Sequence, residues 1–589
     1  MAPLARWTIP EINEQEAESL ASLCGLQLPA ARVLLARGYH SAQDVEHFLR
    51  PKLNNLLDPF AMKGMRQAVE RIRMAVDKRE KILLYGDYDV DGVSSVVILR
   101  KMLALMGCEA DFHVPDRLKD GYGMQTSVVE QAARDGVDLI ISVDTGIRAL
   151  EAVKAARRLG VDVVITDHHM PEDELPPAAA ILNPNQPGCG YPNKNLCGAG
   201  VTFKLIQALM DRAEWPPDRI VRYSDSFLVM VAIATVADVV PLTGENRVIV
   251  KRGLDGLART RNPGLRALLE VSGVEPGAAL SATDVGFRVS PRINAAGRMD
   301  NARDVVEMFL TGDEQRARAI AERLDLLNCE RQKTGEAIVK AIAESMMDEC
   351  GADGPGPERA GLVFYSPGWH RGVVGIVANR VVELFHRPAI VLGRDENTGM
   401  AQGSGRSIAG FHLLEALEAI GDVFTRFGGH RQAVGVTLQE GRVDELRRRF
   451  NDYALNVLSE EDLAPERAID AECRIEELSD GSVDEVLQLA PFGLGNRAPL
   501  FLLRNVEVRQ PADLFGREKE HVRVRLHQGE RALVAKGWRF AGRLEELRPG
   551  ARIDVALTLE ADAFSAKRGY APWGATLRDI RPADSTAAV

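Results

Sequence analysis

Apolar residues along this chain change their rhythm from one region to the next. Residues 1–60 carry short apolar stretches at helical spacing, broken by Pro51 and Pro59, which predicts a small helical N-terminal segment. From Lys81 the pattern alternates. Lys81–Tyr85 is a continuous apolar run of strand length, and Val93–Met106 reads as a helix. Asp138–Val143 and Val161–Thr166 repeat the strand pattern, with helical Arg148–Leu159 between them. Strands alternating with helices predict βαβ units and a parallel sheet.

Farther along, Thr311-Gly-Asp-Glu314 has the form of a capping box opening a long helix to about Cys350, with Ile320, Leu324, Leu327, Ile338 and Ile342 near helical spacing. The Gly/Pro segment Gly351–Pro357 then reads as a linker, so the helix is expected to bridge two lobes. A second α/β module follows, with strands at Gly361–Tyr365 and Ala389–Leu392 around a helix at Gly372–Leu384. Short β-rich runs at Leu500–Leu503, Val522–Leu526, Ala532–Ala535 and Ile553–Leu559 predict a small C-terminal β-barrel. The expected organisation is therefore 1–60 helical, 61–312 parallel α/β, 313–350 bridging helix, 351–460 second α/β domain and 461–589 β-barrel.

Composition narrows the class. With 589 residues the chain exceeds a single core, and 46% hydrophobic with 27% charged residues is a globular balance. The first residues show no apolar segment of the secretory kind, and the longest apolar run, Phe227–Ala237, is too short to span a bilayer. A cytoplasmic protein away from membranes is expected. Seven scattered cysteines without a C-x-x-C argue against a disulfide framework and a zinc cage. Net charge of −11 excludes a uniformly basic nucleic-acid binder, yet residues 501–589 hold 16 Lys and Arg against 12 Asp and Glu. A local polyanion groove fits there.

The chemistry gathers at strand ends. Tyr85-Gly-Asp-Tyr-Asp-Val-Asp-Gly92 follows the first strand, Asp144-Thr-Gly146 the second and Asp167-His-His169 the third, with Asp238 farther on. Carboxyl ends of parallel strands form the ligand crevice, so Asp87, Asp89, Asp91, Asp144, Asp167, His168, His169 and Asp238 should converge. So many acids at one edge would raise one another's pKa unless cations neutralise them. Oxygen ligands with one or two imidazoles suit Mn²⁺ or Mg²⁺ better than structural zinc. Two ions roughly 3.5–4 Å apart would make a hydrolytic site for phosphoryl chemistry. The bland alternative is that these are ordinary turn and cap residues, a fair competitor for any one motif but a poor one for three at successive strand ends. A P-loop and a dinucleotide fingerprint are both absent.

In order, GDYDVDG, SVDTG, TDHH and ATVADVVPL resemble the four motifs of the DHH phosphoesterase superfamily. The likeness continues through SPRINAAGRMD at 290–300, GWHRG at 368–372, GSGRS at 403–407, GGH at 428–430 and PFGLGN at 491–496. Within that superfamily it points to the bacterial single-strand-specific 5′→3′ exonucleases. The resemblance implies a DHH catalytic domain, a DHHA1-like second α/β domain and an OB-fold-like C-terminal barrel. It further implies that Asp89 and Asp91 are paired metal ligands, Asp144 the bridging ligand, His168 the ligating histidine and Asp238 the fourth-motif ligand. Asp87 is then a ligand or a supporting acid, while Asp167 and His169 orient ligands or touch phosphate.

Arg117, Arg292 and Arg298 are candidates to hold phosphate by bidentate hydrogen bonds, with buried salt bridges as the competing reading. Ser404 and Arg406 sit in a glycine-rich stretch read as a turn able to form an anion nest, and the resemblance makes it a 5′-phosphate pocket. His370 and His430 are expected at the same phosphate, and Tyr122 and Trp369 can stack on bases or pack in a core. The OB-like module offers a basic groove for single strands but is poor in aromatics. The expected activity is processive 5′→3′ removal of mononucleotides from single-stranded DNA with two Mn²⁺ or Mg²⁺ ions, in repair and recombination. Single-strand-binding protein and a helicase are implied as partners of a monomeric enzyme. The alternatives are a phosphoesterase for short oligonucleotides or pyrophosphate, and a non-catalytic DNA-binding scaffold.

Overall fold

The computed structural model of the chain describes residues 5–116, 123–299, 301–351, 354–562, 567–569 and 571–583. It divides into two compact units. One comprises Ile9–Asp325 with Ile469–Val589, the other Leu326–Ala468 with the N-terminal strand Arg6–Thr8.

The first unit holds the parallel sheet. Its strands β1 (Ile82–Tyr85), β2 (Asp111–His113), β3 (Leu139–Val143), β4 (Asp162–Thr166) and β5 (Ala180–Leu182) lie in the order β2-β1-β3-β4-β5, all parallel. The three central strands are those the apolar runs predict. The three-residue edge strands carry too little pattern to read. Every residue of β3 is buried, as expected of a strand covered on both faces. In register, Tyr85 lies opposite Ser142 and Val143 opposite Thr166, so the chain leaves β1, β3 and β4 at one edge.

The helix after β1 runs Val90–Leu105, three residues earlier than its apolar pattern suggests. Asp89 causes the difference, because its side chain caps the helix by accepting from Asp91 N and Gly92 N. Two further helices, Gly198–Arg212 and Pro217–Ala237, pack on it within one core. Pro217–Ala237 is long and apolar enough to cross a membrane by length and composition alone. Here Phe227–Thr235 are all buried within the protein core instead.

The N-terminal helices Glu14–Cys24, Leu28–Ala36 and Ala42–Leu49 share a core with the C-terminal sheet, Leu34 and Phe48 clustering with Phe501 and Val524. That sheet contains the long strands Leu500–Val508, His521–Gln528, Arg531–Gly537, Arg552–Ala561 and Trp573–Pro582. Leu500–Val508 pairs with both Arg552–Ala561 and His521–Gln528, which closes the strands into a ring.

In the second unit a five-stranded sheet orders Arg426–Gly429, Ala433–Gln439, Met400–Arg406, Ala389–Arg394 and Leu362–Tyr365. The stretch Gly403–Ser407 is therefore not a turn, as its glycines suggest, but largely a central strand paired on both sides. A Cβ on Gly403 would lie 1.9 Å from Val391 O, so the glycine serves close strand approach, and its N–H groups belong to the ladder rather than to an anion nest. The long helix spans Glu314–Cys350, and its cap is Asp313, which accepts from Gln315 N and Arg316 N, rather than Thr311.

Candidate metal centre

All the strand-end acids meet at one sheet edge. Asp87, Asp89 and Asp144 place carboxylate oxygens within 4.8 Å of one another, as do the ligand atoms of Asp91, His168 and Asp238, and those of Asp144, His168 and His169. His168 links the sets, its Nε2 3.2 Å from Asp144 Oδ1 and 3.8 Å from Asp91 Oδ2, its Nδ1 3.8 Å from Asp238 Oδ2. The cap reading and the ligand reading of Asp89 are compatible, because Oδ1 caps the helix and Oδ2 is left for another partner.

Local structure explains each position. Gly86 and Gly92 frame the acidic loop through close approach rather than unusual φ. A Cβ on Gly92 would lie 2.6 Å from Asp87 N and O, and one on Gly86 2.4 Å from Val96 Cγ2. Asp91 sits in the first helical turn with both oxygens engaged, accepting from Gly198 N at 2.6 Å and Ala199 N at 2.7 Å. Those donors open the helix Gly198–Arg212, whose positive end suits a carboxylate. Asp144 adopts the left-handed backbone conformation with φ 59°, its N–H donating to Thr166 O. Asp238 caps the C-terminus of Pro217–Ala237.

Asp167 has a different task. Its Oδ1 accepts from His168 N, His169 N and His169 Nδ1, and its Oδ2 from Ile147 N. Burial alone would raise its pKa, but the His169 ring and these donors hold it below the ordinary value. Burial would also lower His169, yet the bond and charge of Asp167 push it up to about 9. His169 is thus a cation at neutral pH with Nδ1 committed, which suits contact with phosphate better than metal ligation.

The remaining acids are electrostatically unsatisfied. Burial first, then the charges of Asp91, Asp89, Asp87 and Asp238, push Asp144 well above the usual carboxylate range. Burial with Asp91 and Asp89 does the same to Asp238, and burial lowers His168 toward the neutral form. Asp144 Oδ1 is buried and accepts no hydrogen bond among the described residues. A neutral imidazole, a donor-less buried carboxylate oxygen and raised carboxyl pKa values are what divalent cations would relieve, so the residues present fit such ions.

Four supporting residues were given no role by the sequence reading. Gly198 and Ala199 hold Asp91 through backbone N–H groups, and a Cβ on Gly198 would lie 2.4 Å from Asp144 Oδ1. Asn294 accepts from Val90 N, joining the helix Ser290–Met299 to the acidic loop, and Gly297 lies close under Tyr88 O. Asn294 and Gly297 lie in the SPRINAAGRMD stretch that carries the family resemblance, whereas the Gly-Ala-Gly run at 198–200 offered only the ambiguous signal of glycines.

The predicted substrate residues fall into groups. Arg292 is engaged internally, Nε donating to Asp325 Oδ1 and Nη2 to Val271 O, which is the salt-bridge alternative. Arg298 lies half-buried near the end of the same helix. Arg117 and Tyr122 lie outside the described residues. In the second unit, Ser404 and Arg406 share one face of their strand, and Gly375 of the helix Arg371–Phe385 lies against both. His370 is exposed and caps that helix, its Nδ1 accepting from Gly372 N, and exposed His430 follows the strand Arg426–Gly429. Trp369 is half-buried against the second unit's core.

Comparison with known proteins agrees with this layout. Family models match in three places: the DHH family N-terminal domain at 81–235, the DHHA1 domain at 359–456 and the RecJ OB domain at 469–570. The single-stranded-DNA-specific exonuclease RecJ of Bacillus subtilis is 40% identical over 96% of this chain and 70% of its own length. The chain belongs to the RecJ family. RecJ of Dickeya dadantii is 40% identical over 80% of this chain and 83% of its own. The crystal structure of Thermus thermophilus RecJ with Mn²⁺ superposes with a TM-score of 0.81 at 28% identity, covering 99% of this chain and 80% of that one. The same protein with Mg²⁺ gives 0.76 at 27% identity, covering 99% and 79%. The fold of a RecJ protein, with DHH, DHHA1 and OB domains, is thus the fold of this chain.

Proposed function

We propose that this chain is a metal-dependent exonuclease specific for single-stranded DNA, removing mononucleotides processively from the 5′ end in DNA repair and recombination. The observation that carries the reading is the meeting of Asp87, Asp89 and Asp144 with Asp91, His168 and Asp238 across the 3.2 Å contact between Asp144 and His168. Substrate class follows from relatives named single-stranded-DNA-specific exonucleases, and Mn²⁺ or Mg²⁺ from the ions in the solved structures of Thermus thermophilus RecJ.

Those six residues would hold two ions. Divalent cations bound there supply positive charge to phosphoryl oxygens and acidify water at neutral pH. The chain's own residues do the rest. The N-terminus of the helix Gly198–Arg212 fixes the Asp91 carboxylate in one orientation. Asp167 fixes the His169 ring and keeps it cationic, so it can donate to a phosphate oxygen or to the departing 3′ oxygen. Ser404, Arg406, His370 and His430 form the phosphate-binding group of the second unit, and binding a terminal 5′ phosphate there supports the polarity. Arg117, Tyr122 and Arg298 belong to the same substrate reading, whereas the bonds of Arg292 favour a structural part. The setting is cytoplasmic, which suits seven free cysteines. A monomer working with a helicase and single-strand-binding protein completes the reading.

The test is digestion, with Mn²⁺, of a 5′-phosphorylated single strand labelled at either end, beside a blunt duplex. Mononucleotides released from the 5′ end of the single strand alone, and lost in Asp144→Asn, are expected. Internal cuts or equal decay of the duplex would overturn the proposal.

A further inference from the structure

The first turn of the helix Gly198–Arg212 does more than hold Asp91. The residue that caps it is a cysteine, where an oxygen-bearing side chain is the usual choice. Cys197 Sγ accepts from Gly200 N at 3.4 Å and lies 3.5 Å from Thr235 Oγ1. Thr235 Oγ1 donates its one proton to Val231 O at 2.7 Å, so the thiol is the donor in the Cys197–Thr235 bridge. Thr235 stands three residues before Asp238, on the helix that Asp238 caps. One side chain thus joins the helix whose N–H groups hold Asp91 to the helix that presents Asp238.

About one turn further along, the same helix makes a second bridge to a different element. Thr202 Oγ1 lies 3.3 Å from Thr166 Oγ1. Thr166 Oγ1 donates to Ser142 O at 2.9 Å, so Thr202 is the donor. Thr166 ends β4, its carbonyl oxygen accepts from Asp144 N, and the next residue is Asp167. Cys197 and Thr235 are 1% exposed, Thr202 and Thr166 fully buried. A hydroxyl or thiol in such a core costs stability unless paired, and apolar side chains of the same shape would fill the space as well. What the polar groups add is direction. Apolar burial is non-directional and lets packed elements slide, whereas a hydrogen bond fixes distance and angle.

We propose that Cys197 and Thr202 are positioning residues for the metal cage. Through Thr235 and Thr166 they brace the first turn of this helix against the elements bearing Asp238, Asp144 and Asp167. Asp91 follows the helix, because both its oxygens are bonded to the N–H groups of that turn. The braces therefore set how far Asp91 stands from the ligands on the other elements. The inference rests on the metal reading of the acidic cluster, and it adds residues that act only through their neighbours.

The test is calorimetric titration of the full chain with Mn²⁺, without DNA, beside the Tm of the metal-free protein. Thr202→Val removes one hydroxyl at nearly constant shape, and Cys197→Ala removes the thiol. Each should raise the Kd for Mn²⁺ about tenfold. Adding Thr235→Val to Cys197→Ala should cost little more than the worse single change, since both remove the same bond. Cys473→Ala is the control: a similarly buried thiol in the core shared with the C-terminal sheet, whose loss should lower Tm and leave Mn²⁺ affinity unchanged. Wild-type Mn²⁺ affinity in both Thr202→Val and Cys197→Ala would overturn the inference. So would an equal loss in Cys473→Ala, or losses that multiply in the Cys197–Thr235 pair. Should Cys197→Ala fail to fold, Thr202→Val alone decides. If the wild-type protein takes up no Mn²⁺, the metal reading itself fails, and the two failures are told apart.

Discussion

Gly198→Ala is the sharpest perturbation of the metal centre that leaves every candidate ligand in place. The added methyl would lie 2.4 Å from Asp144 Oδ1, 2.5 Å from Asp144 Cβ and 2.7 Å from Asp144 Cγ. Van der Waals contact needs about 3.5 Å, so something must move by about 1 Å. The Gly198 backbone is poorly placed to retreat, because its N–H is bonded to Asp91 Oδ2 and the next N–H to Asp91 Oδ1. Asp144 is equally confined, with its backbone at φ 59° and its N–H bonded to Thr166 O. Overpacking of this kind costs about 1–3 kcal/mol. A misplacement of about 1 Å costs roughly 10²-fold in rate, near 2.7 kcal/mol of barrier. The expected result is that kcat falls about 10²-fold while the half-saturating Mn²⁺ concentration rises about 10-fold or more. Single-turnover digestion of a labelled strand over a Mn²⁺ series, with calorimetric metal binding to the same variant, measures both. Gly190→Ala is the control, since its Cβ would meet nothing within 4 Å. If Gly198→Ala stays within about threefold of wild type in both readouts, close approach is not what this glycine provides.

Metal and protons should compete for the cage. Asp144 and Asp238 titrate well above their ordinary 3.8 when folded, so the metal-free protein binds extra protons and loses stability as pH rises through those values. The rise in Tm on adding Mn²⁺ should therefore be larger at about pH 8 than at about pH 6, and a pH-independent rise would contradict the linkage. Asp167→Asn removes the bond and charge that raise His169, so its pKa should fall and the alkaline limb of the kcat profile should move to lower pH; an unmoved limb would show that the His169 charge is not used. Glu245→Leu should cost about 3–5 kcal/mol in urea unfolding, because it strands the buried Lys204 ammonium 2.8 Å away and the donors Leu57 N and Tyr191 Oη; a loss below about 1 kcal/mol would refute this. Gly403→Ala, with its Cβ 1.9 Å from Val391 O, should abolish soluble expression or terminal-phosphate discrimination, and normal behaviour in both would remove the strand-approach argument.

What was legible in the sequence, and what was not, follows from how local each cause is. Buried parallel strands announce themselves as apolar runs, so the three central strands and the acids at their ends could be read directly. Their convergence followed from one rule about parallel sheets, and register then put Asp87–Asp91, Asp144 and Asp167 at one edge. Glycine is where local reading failed. Gly86, Gly92, Gly198 and Gly403 look like turn formers, yet none has positive φ, and each is pressed against an atom remote in sequence or across a loop. Residue type reports that a side chain is unwelcome, but not whether backbone torsion or an incoming neighbour forbids it. The same limit hid an aromatic cluster on the C-terminal sheet. Phe515, His521 and Trp538 have no periodic spacing, and with aromatics at 5% of the chain the module looked bare. Pairing of Asp513–Phe515 against His521–Gln528, and of that strand against Arg531–Gly537, brings the three rings to one end of one face. A surface built from the ends of three strands is a tertiary object, and composition dilutes it. By contrast the metal cage was readable because each of its loops carries charge that no isolated turn would choose. Costly groups are conspicuous wherever they stand, whereas compatible ones become a site only when the fold brings them together.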